Sequence, residues 1–209
     1  AAKYSPSGGF SAQAFGLGVS VSRIPRIRWV DSASETPSVS GGPAHAYFIG
    51  GRNPSSTQKS VIDRVDFSND TATASVRGPL SATRYHPPAS VSSTSHAYIG
   101  GGTSPHPTNS SRIDRIDYSD DTTATAPKGS LSVARYGMGA TGNKDYGYWA
   151  GGFGPGYSSV VDRVDYSNDT IAATPKGPIS AGRYADTATG NQSYGYVVCG
   201  SAGSPAYVS

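Results

Sequence analysis

The stretch Val61–Thr71, which reads VIDRVDFSNDT, decides the fold of this chain because it recurs at intervals of about fifty residues. Residues 112–122 read RIDRIDYSDDT and residues 160–170 read VVDRVDYSNDT. Residues 22–31, SRIPRIRWVD, are a degenerate copy of the same segment. Self-similarity at a period of roughly 20 to 50 residues is typical of proteins in which one unit cannot bury its own apolar face and stacks on copies of itself. The sequence therefore predicts a repeat architecture.

Each full repeat contains four segments with strand character. An apolar, aromatic segment leads into a glycine pair, and a variable loop then leads to the Asp-Arg strand quoted above. A Ser-Asn-Asp turn follows, then a strand rich in Thr and Ala, and a fourth strand begins at an Arg-Tyr pair. Four short strands separated by turn signals predict one blade of a β-propeller. The glycine pairs are predicted at Gly50–Gly51, Gly100–Gly101 and Gly151–Gly152, with Cys199–Gly200 in the last copy.

The composition favours an all-β protein and excludes several functions. The chain has 27 Gly, 15 Pro and 14 Tyr but few helix-forming residues, so almost no helix is expected. The net charge is only +3 and Lys and Arg do not cluster, which argues against a nucleic-acid groove. No apolar run is long enough to insert in a membrane. The single Cys199 excludes an intramolecular disulfide.

The repeats resemble those of the kelch family of β-propellers. The resemblance rests on the glycine pair, the aromatic residue after the aspartate strand and the Arg-Tyr pair, and it covers about 160 residues from Tyr47 onward. The chain departs from the kelch pattern where a tryptophan is usual, near the end of the fourth strand. The phrase VDRVDYSNDT is also similar to repeats in virion and tail-associated proteins of marine cyanobacterial phages. The resemblance implies four-stranded antiparallel blades and a location on a virion, outside the cell.

The repeat count predicts about four blades, with five, or a piece of a longer propeller, as the alternative. Residues 22–46 and 196–209 supply complementary parts of one blade and would close the ring, which removes exposed strand edges. Residues 1–21 match no part of the repeat and are predicted to form an N-terminal arm or irregular segment. The full repeats are assigned to residues 47–97, 98–147 and 148–195.

The charged residues of the Asp-Arg strand are predicted to form structural ion pairs between blades. They recur in every repeat, whereas a catalytic site usually breaks such symmetry. Arginine also readily forms paired hydrogen bonds with carboxylates. The alternative is a ring of charged groups that binds a ligand or metal at the axis. The set is Asp63, Arg64, Asp66, Asp114, Arg115, Asp117, Asp162, Arg163 and Asp165.

The Arg-Tyr pairs are the candidate binding residues. Tyrosine combines an apolar face with a polar tip, which suits contacts with carbohydrate or protein. The alternative is packing between blades, with each arginine bonded to loop carbonyls. The residues are Arg84, Tyr85, Arg135, Tyr136, Arg183 and Tyr184.

The sequence carries no catalytic motif. It lacks a nucleophile elbow, a P-loop and a zinc motif, and its four histidines do not repeat in register. We therefore predict a non-enzymatic structural or adhesion module with no cofactor and no metal. Its partners would be other virion proteins or host-surface glycans, within a larger assembly, through the loops at residues 52–60, 102–111 and 153–159. The alternatives are a secreted lectin-like propeller with one sugar site per blade and, third, an enzyme that uses the propeller as a scaffold.

Overall fold

The computed structural model describes residues 45–202 except Ser56, Pro87, Ala185, Asp186 and Cys199. Three predicted regions lie outside the described part. They are the arm at residues 1–21, the degenerate repeat at residues 22–31, and the residues before 45 and after 202 that were predicted to close the ring. The described residues form short β-strands and two single 3-10 turns, with no α-helix among them. The prediction of an all-β chain is confirmed.

The strands form antiparallel sheets, and in every sheet except the pair β12 with β15 the neighbours in space are neighbours in sequence. The first sheet has the order β1 (His45–Ile49), β2 (Ile62–Asp66), β3 (Ser75–Arg77). The second has the order β4 (Ala89–Ser92), β5 (His96–Gly100), β6 (Arg112–Asp117), β7 (Ala126–Ser130). The third repeats this order with β8 (Gly139–Gly142), β9 (Tyr146–Ala150), β10 (Val161–Asp165), β11 (Thr174–Lys176). Two shorter pairs follow, β13 (Thr187–Gly190) with β14 (Gly195–Val198) and β12 (Arg183–Tyr184) with β15 (Ser201–Ala202).

The same register joins the aromatic strand to the Asp-Arg strand in the three sheets. The tyrosine of the aromatic strand lies opposite the arginine of the Asp-Arg strand each time, as Tyr47 with Arg64, Tyr98 with Arg115 and Tyr148 with Arg163. A shift of one residue would move every side chain to the opposite face of its sheet. The shared register therefore repeats the same inter-sheet contacts along the chain.

The fourth strand of the repeat begins later than the sequence suggests. Arg84 and Tyr85 form isolated bridges, and β4 begins only at Ala89. The residue after the tyrosine has a positive φ, 47° at His86 and 63° at Gly137. This left-handed conformation interrupts an extended backbone, so the Arg-Tyr pair is separated from the strand that follows it.

The left-handed glycine pair of the second repeat also lies one residue later than predicted. Gly101 and Gly102 have φ of 74° and 87°, whereas Gly100 ends β5. A Cβ on Gly100 would lie 2.7 Å from the indole nitrogen of Trp149. Gly100 is therefore small because it packs on that tryptophan and not because it turns the chain.

The apolar core lies between successive sheets. Trp149 is fully buried, and its indole N–H donates to the carbonyl of Ala89 at 3.0 Å. It packs in a cluster with Tyr98 and Ile113 of the second sheet and Val164 of the third. A second cluster between the first and second sheets contains Ile62, Leu80, Ala97, Ile99 and Ile116. The first sheet thus packs on the second and the second on the third, as expected for a repeat protein whose units bury their apolar faces against one another.

Candidate functional site

Two arginines of the predicted binding set are buried and hold the sheets together. Arg84 pairs with Asp114 at 2.8 Å, and Arg135 pairs with Asp162 at 2.8 Å, with all four side chains excluded from solvent. The Arg84 guanidinium also donates a hydrogen bond to the backbone carbonyl of Gly101. In the next repeat, the Arg135 guanidinium donates to the backbone carbonyl of Gly151. A buried guanidinium cannot reach a surface ligand, so we correct the prediction that made Arg84 and Arg135 binding residues. Arg183 is half-buried in β12.

A second network links the sheets through an aspartate that ends the Ser-Asn-Asp turn. Asp121 accepts a hydrogen bond from the Tyr47 hydroxyl at 2.9 Å and one from Arg64 at 2.8 Å, with Arg77 3.7 Å away. In the next copy Asp169 takes the same place, bonded to Tyr98 at 3.0 Å and Arg115 at 2.7 Å, with Lys128 at 3.6 Å. The ion-pair role predicted for Arg64 and Arg115 agrees with these contacts.

The partners in this network were missed at the sequence level, although a signal for them exists. Asp70, Asp121 and Asp169 recur at the same place in every copy of the turn. Burial, together with hydrogen bonding to the aspartate, raises the pKa of Tyr47 and of Tyr98 to about 12. Both hydroxyls therefore stay protonated and act as donors to the carboxylate.

The aspartates at the end of the Asp-Arg strand do not bridge sheets. Asp66, Asp117 and Asp165 each accept hydrogen bonds from the backbone N–H and hydroxyl of the serine two residues later. These bonds lower the pKa of the three carboxyls. They cap turns, as Asp side chains commonly do. Asp66 also lies 3.8 Å from His45 and Asp117 3.6 Å from His96, each across its own sheet, so these contacts differ from the predicted ion pairs between blades.

Two other members of the predicted ion-pair set have different surroundings. Asp63 is half-buried in β2, opposite Phe48 of β1. The guanidinium of Arg163 lies over the ring of Tyr146, 4.3 Å from its centroid. Arg163 therefore makes a cation–π contact in place of the ion pair that Arg115 makes in the preceding repeat.

The three predicted tyrosines lie together in a continuous row of aromatic side chains. His86 joins Tyr85 to Tyr136, with ring centroids 4.4 and 4.6 Å away. Tyr136 contacts Tyr184 edge to face at 5.5 Å. We call this row the aromatic strip; its members are Tyr85, His86, His106, Tyr136, Phe153, Tyr157 and Tyr184.

The variable loops supply the remaining side chains of the strip. His106 comes from the second loop and stacks on His86, with centroids 5.1 Å apart and planes at 17°. Phe153 and Tyr157 come from the third loop and contact each other edge to face at 5.4 Å. Arg52, from the first loop, is exposed and lies over Tyr85, 4.5 Å from its centroid. Each of the three loops therefore meets a tyrosine of the repeat or its neighbour.

The backbone that presents the strip follows from the repeat. The bridges Tyr85 with Thr103 and Tyr136 with Phe153 tie each tyrosine to the loop after a glycine pair. His86 occupies a left-handed position where the next repeat has Gly137. A side chain with a Cβ is unfavourable in that conformation, so the imidazole is held in the strip against a local backbone preference.

The charge near the strip is concentrated at the Arg52 end. Burial, with smaller contributions from His106 and Arg52, lowers the pKa of His86, so its ring is neutral at neutral pH. Burial beside Tyr184 and Tyr157 raises the pKa of Tyr136, so its hydroxyl is also neutral. Among the described residues, no carboxylate forms an ion pair or hydrogen bond with a strip side chain or with Arg52. The strip is thus an aromatic row, with neutral side chains at His86 and Tyr136 and the guanidinium of Arg52 at one end.

A cavity of about 420 Å³ opens beside this charged end. Tyr85, His86, Phe48 and Pro88 contribute to its lining. Within the described residues, no group of three or more His, Cys, Asp or Glu could hold a metal ion. In the same part of the chain, no helix is long and apolar enough to cross a membrane.

Comparisons with known proteins inform the fold only. No protein-family model matches the sequence, and no curated protein matches it. Among solved structures, the chain is similar to one titled "Structure of YjhT", with a TM-score of 0.53 and 14% sequence identity. The match covers 66% of this chain and 44% of YjhT, so the chain spans less than half the length of that protein. At this identity the likeness concerns the fold alone.

Proposed function

We propose that this chain is a non-enzymatic adhesion module whose aromatic strip contacts a partner. The observation that carries the proposal is that all three variable loops and all three repeat tyrosines converge on one surface. Loops on a rigid scaffold commonly carry recognition. Half-buried aromatic side chains provide large contact areas with little conformational entropy to lose, which suits a binding surface.

The scaffold we propose is a kelch-like β-propeller in which the successive sheets are blades. Consecutive four-stranded meanders with one register and apolar packing between neighbours support this arrangement. The buried pairs Arg84–Asp114 and Arg135–Asp162 would then lock each blade to the next. A scaffold of this kind fixes the tyrosines without requiring them to stabilise the sheets.

The biological setting we propose is a phage virion or tail, with a virion protein or a host surface as the partner. The similarity of the repeat sequence to repeats in virion proteins of marine cyanobacterial phages supports this setting. A test is mass spectrometry of purified phage particles from the source material, with antibody labelling of the chain. Stoichiometric presence at a tail or capsid position is expected, and absence from every particle would overturn the virion setting.

The lectin-like alternative predicts a similar sugar site in each repeat. The neighbours of the tyrosines differ, since Tyr85 meets two histidines and Arg52, whereas Tyr136 meets Phe153. This difference favours one extended surface over three equivalent sites.

Binding of the labelled chain to marine cyanobacterial cells tests the adhesion function itself. Tyr157→Ala and Tyr136→Ala should each weaken binding at least tenfold while circular dichroism still shows the folded chain. The matched control is Tyr194→Ala, which removes an exposed tyrosine outside the strip. Equal binding by the strip variants and the control would overturn the proposal.

A further inference from the structure

The charged end of the aromatic strip points to the chemical class of its ligand. Arg52 is exposed, yet it is held over the Tyr85 ring at 4.5 Å. Such a contact orients a guanidinium and leaves its N–H groups free to donate. Within the described residues, no ion pair or hydrogen bond occupies the Arg52 side chain. The strip therefore offers a positioned cation with free donors.

The rest of the strip offers ring faces. Tyr136 with Tyr184, Phe153 with Tyr184 and Phe153 with Tyr157 meet at angles between 71° and 87°. An edge-to-face pair covers only one face of the ring that receives the edge. A ligand that fits this surface has flat apolar faces, hydroxyl groups that reach tyrosine and histidine, and an anionic group at the Arg52 end.

We propose that the strip binds an acidic glycan, with a carboxylate or sulfate of the sugar at Arg52 and neighbouring sugar rings against Tyr85 and Tyr136. This inference rests on the adhesion function proposed above and names the ligand class for the same surface. The C–H faces of sugar rings stack on aromatic side chains, and a guanidinium binds carboxylate and sulfate oxygens with two parallel hydrogen bonds.

The distribution of charge distinguishes a glycan from single-stranded nucleic acid. Nucleic-acid grooves pair stacked aromatics with a track of cations along the phosphates. Among the described residues, the exposed arginine that contacts a strip side chain is Arg52 at Tyr85, whereas Arg84 and Arg135 are buried in ion pairs. One guanidinium at the end of an aromatic row fits a ligand with sparse charge.

The left-handed histidine adds support for a ligand at this end. The next repeat has glycine at the position of His86, and the histidine there contacts Tyr85, His106 and Tyr136. Its imidazole adds a hydrogen-bonding edge that glycine would lack. His86→Gly removes that edge while it restores the residue found at the equivalent position of the next repeat.

The test uses isothermal titration with the full chain and three acidic hexasaccharides, namely oligogalacturonate, oligomannuronate and a chondroitin sulfate fragment. Each is paired with its neutral counterpart, which is the methyl ester of each uronate oligomer and, for the chondroitin sulfate fragment, the desulfated and methyl-esterified form. At least one acidic probe should bind, with its neutral counterpart weaker by about tenfold, the size expected for one charged hydrogen-bonding contact. Arg52→Ala should erase that difference, and His86→Gly should weaken binding of the acidic probe. Lys144→Ala, which removes an exposed cation outside the strip, should change nothing.

Three results would overturn the inference. One is equal binding of the acidic and neutral probes, and another is tighter binding of a twelve-residue thymidine oligonucleotide. The third is no binding of any glycan. If cell binding still depends on Tyr136 in that third case, the adhesion function stands and its partner is a protein. If cell binding is also absent, the adhesion function fails as well.

Discussion

The contacts between the sheets follow the sequence repeat closely, whereas the aromatic strip follows it only in part. The inter-sheet contacts are copied, since Arg84–Asp114 and Arg135–Asp162 have the same 2.8 Å geometry. In the strip, by contrast, His86 is replaced by Gly137 in the next repeat, and the loop residues that join it differ in each copy. The copied ion pairs hold the sheets, whereas the strip combines the repeated tyrosines with loop residues that differ in each copy.

The largest expected effect comes from breaking a copied contact. Arg135→Ala should lower the free energy of unfolding by about 3–5 kcal/mol, because it leaves Asp162 buried without its cation. Urea denaturation measures this change. Arg163→Ala, which removes a cation–π contact, should cost only about 0.5–1 kcal/mol. Similar costs for the two variants would contradict the distinction between buried pairs and surface contacts.

The glycine after the Thr/Ala-rich strand provides a second comparison within the repeat. A Cβ on Gly129 would lie 1.9 Å from the carbonyl oxygen of Ile171, but a Cβ on Gly177 meets nothing within 4 Å. Gly129→Ala should therefore cost about 2–3 kcal/mol of unfolding free energy by overpacking, and Gly177→Ala less than about 0.5 kcal/mol. A tolerated Gly129→Ala would show that β7 and the segment at Ile171 do not approach this closely.

The aspartate that ends the turn gives a smaller effect. Asp169→Asn removes the charge that pairs with Arg115 and Lys128 but keeps an acceptor for Tyr98. The expected cost is about 1–2 kcal/mol of unfolding free energy in urea denaturation. Asp70→Asn is the matched control, because Asp70 is exposed and forms no ion pair with another described residue. An equal loss in both variants would mean that the inter-sheet contact of Asp169 adds nothing.

The smallest effect concerns pH. The pKa of His86 and of His96 is lowered, in both cases mainly because burial disfavours the charged ring. Below a pH of about 6.5, the ordinary histidine pKa, the unfolded chain binds more protons than the folded one. The free energy of unfolding should therefore fall as the pH drops from 7.5 to 5.5, and less steeply in the double variant His86→Gln with His96→Gln. A free energy of unfolding that increases as the pH drops from 7.5 to 5.5 would contradict the burial of the two rings.

Much of the fold could be predicted from the sequence because it depends on local pattern. The Asp-Arg strand, its Ser-Asn-Asp turn and the aromatic strand appear where the repeat places them. The start of the fourth strand and the glycine pair of the second repeat were misplaced. Both depend on tertiary detail, the left-handed residue after the tyrosine and the packing of Gly100 on Trp149.

The candidate site was less predictable. The sequence identified the Arg-Tyr pairs, but it could not show that Arg84 and Tyr85, adjacent in the chain, have different surroundings, one buried in an ion pair and the other in the strip. The contributions of Arg52, His106 and Tyr157 depend on how the loops fold over the tyrosines. No repeat signal marks these residues, because they occur once each.

The measurement that tests the central claim most directly pairs two assays on one strip variant, Tyr136→Ala combined with Tyr157→Ala. Flow cytometry with marine cyanobacterial cells reports binding, and urea denaturation reports stability. The variant is expected to lose at least tenfold in cell binding while it remains folded in buffer, and Arg163→Ala is expected to bind normally. Unchanged cell binding by the folded strip variant would contradict the assignment of recognition to the aromatic strip.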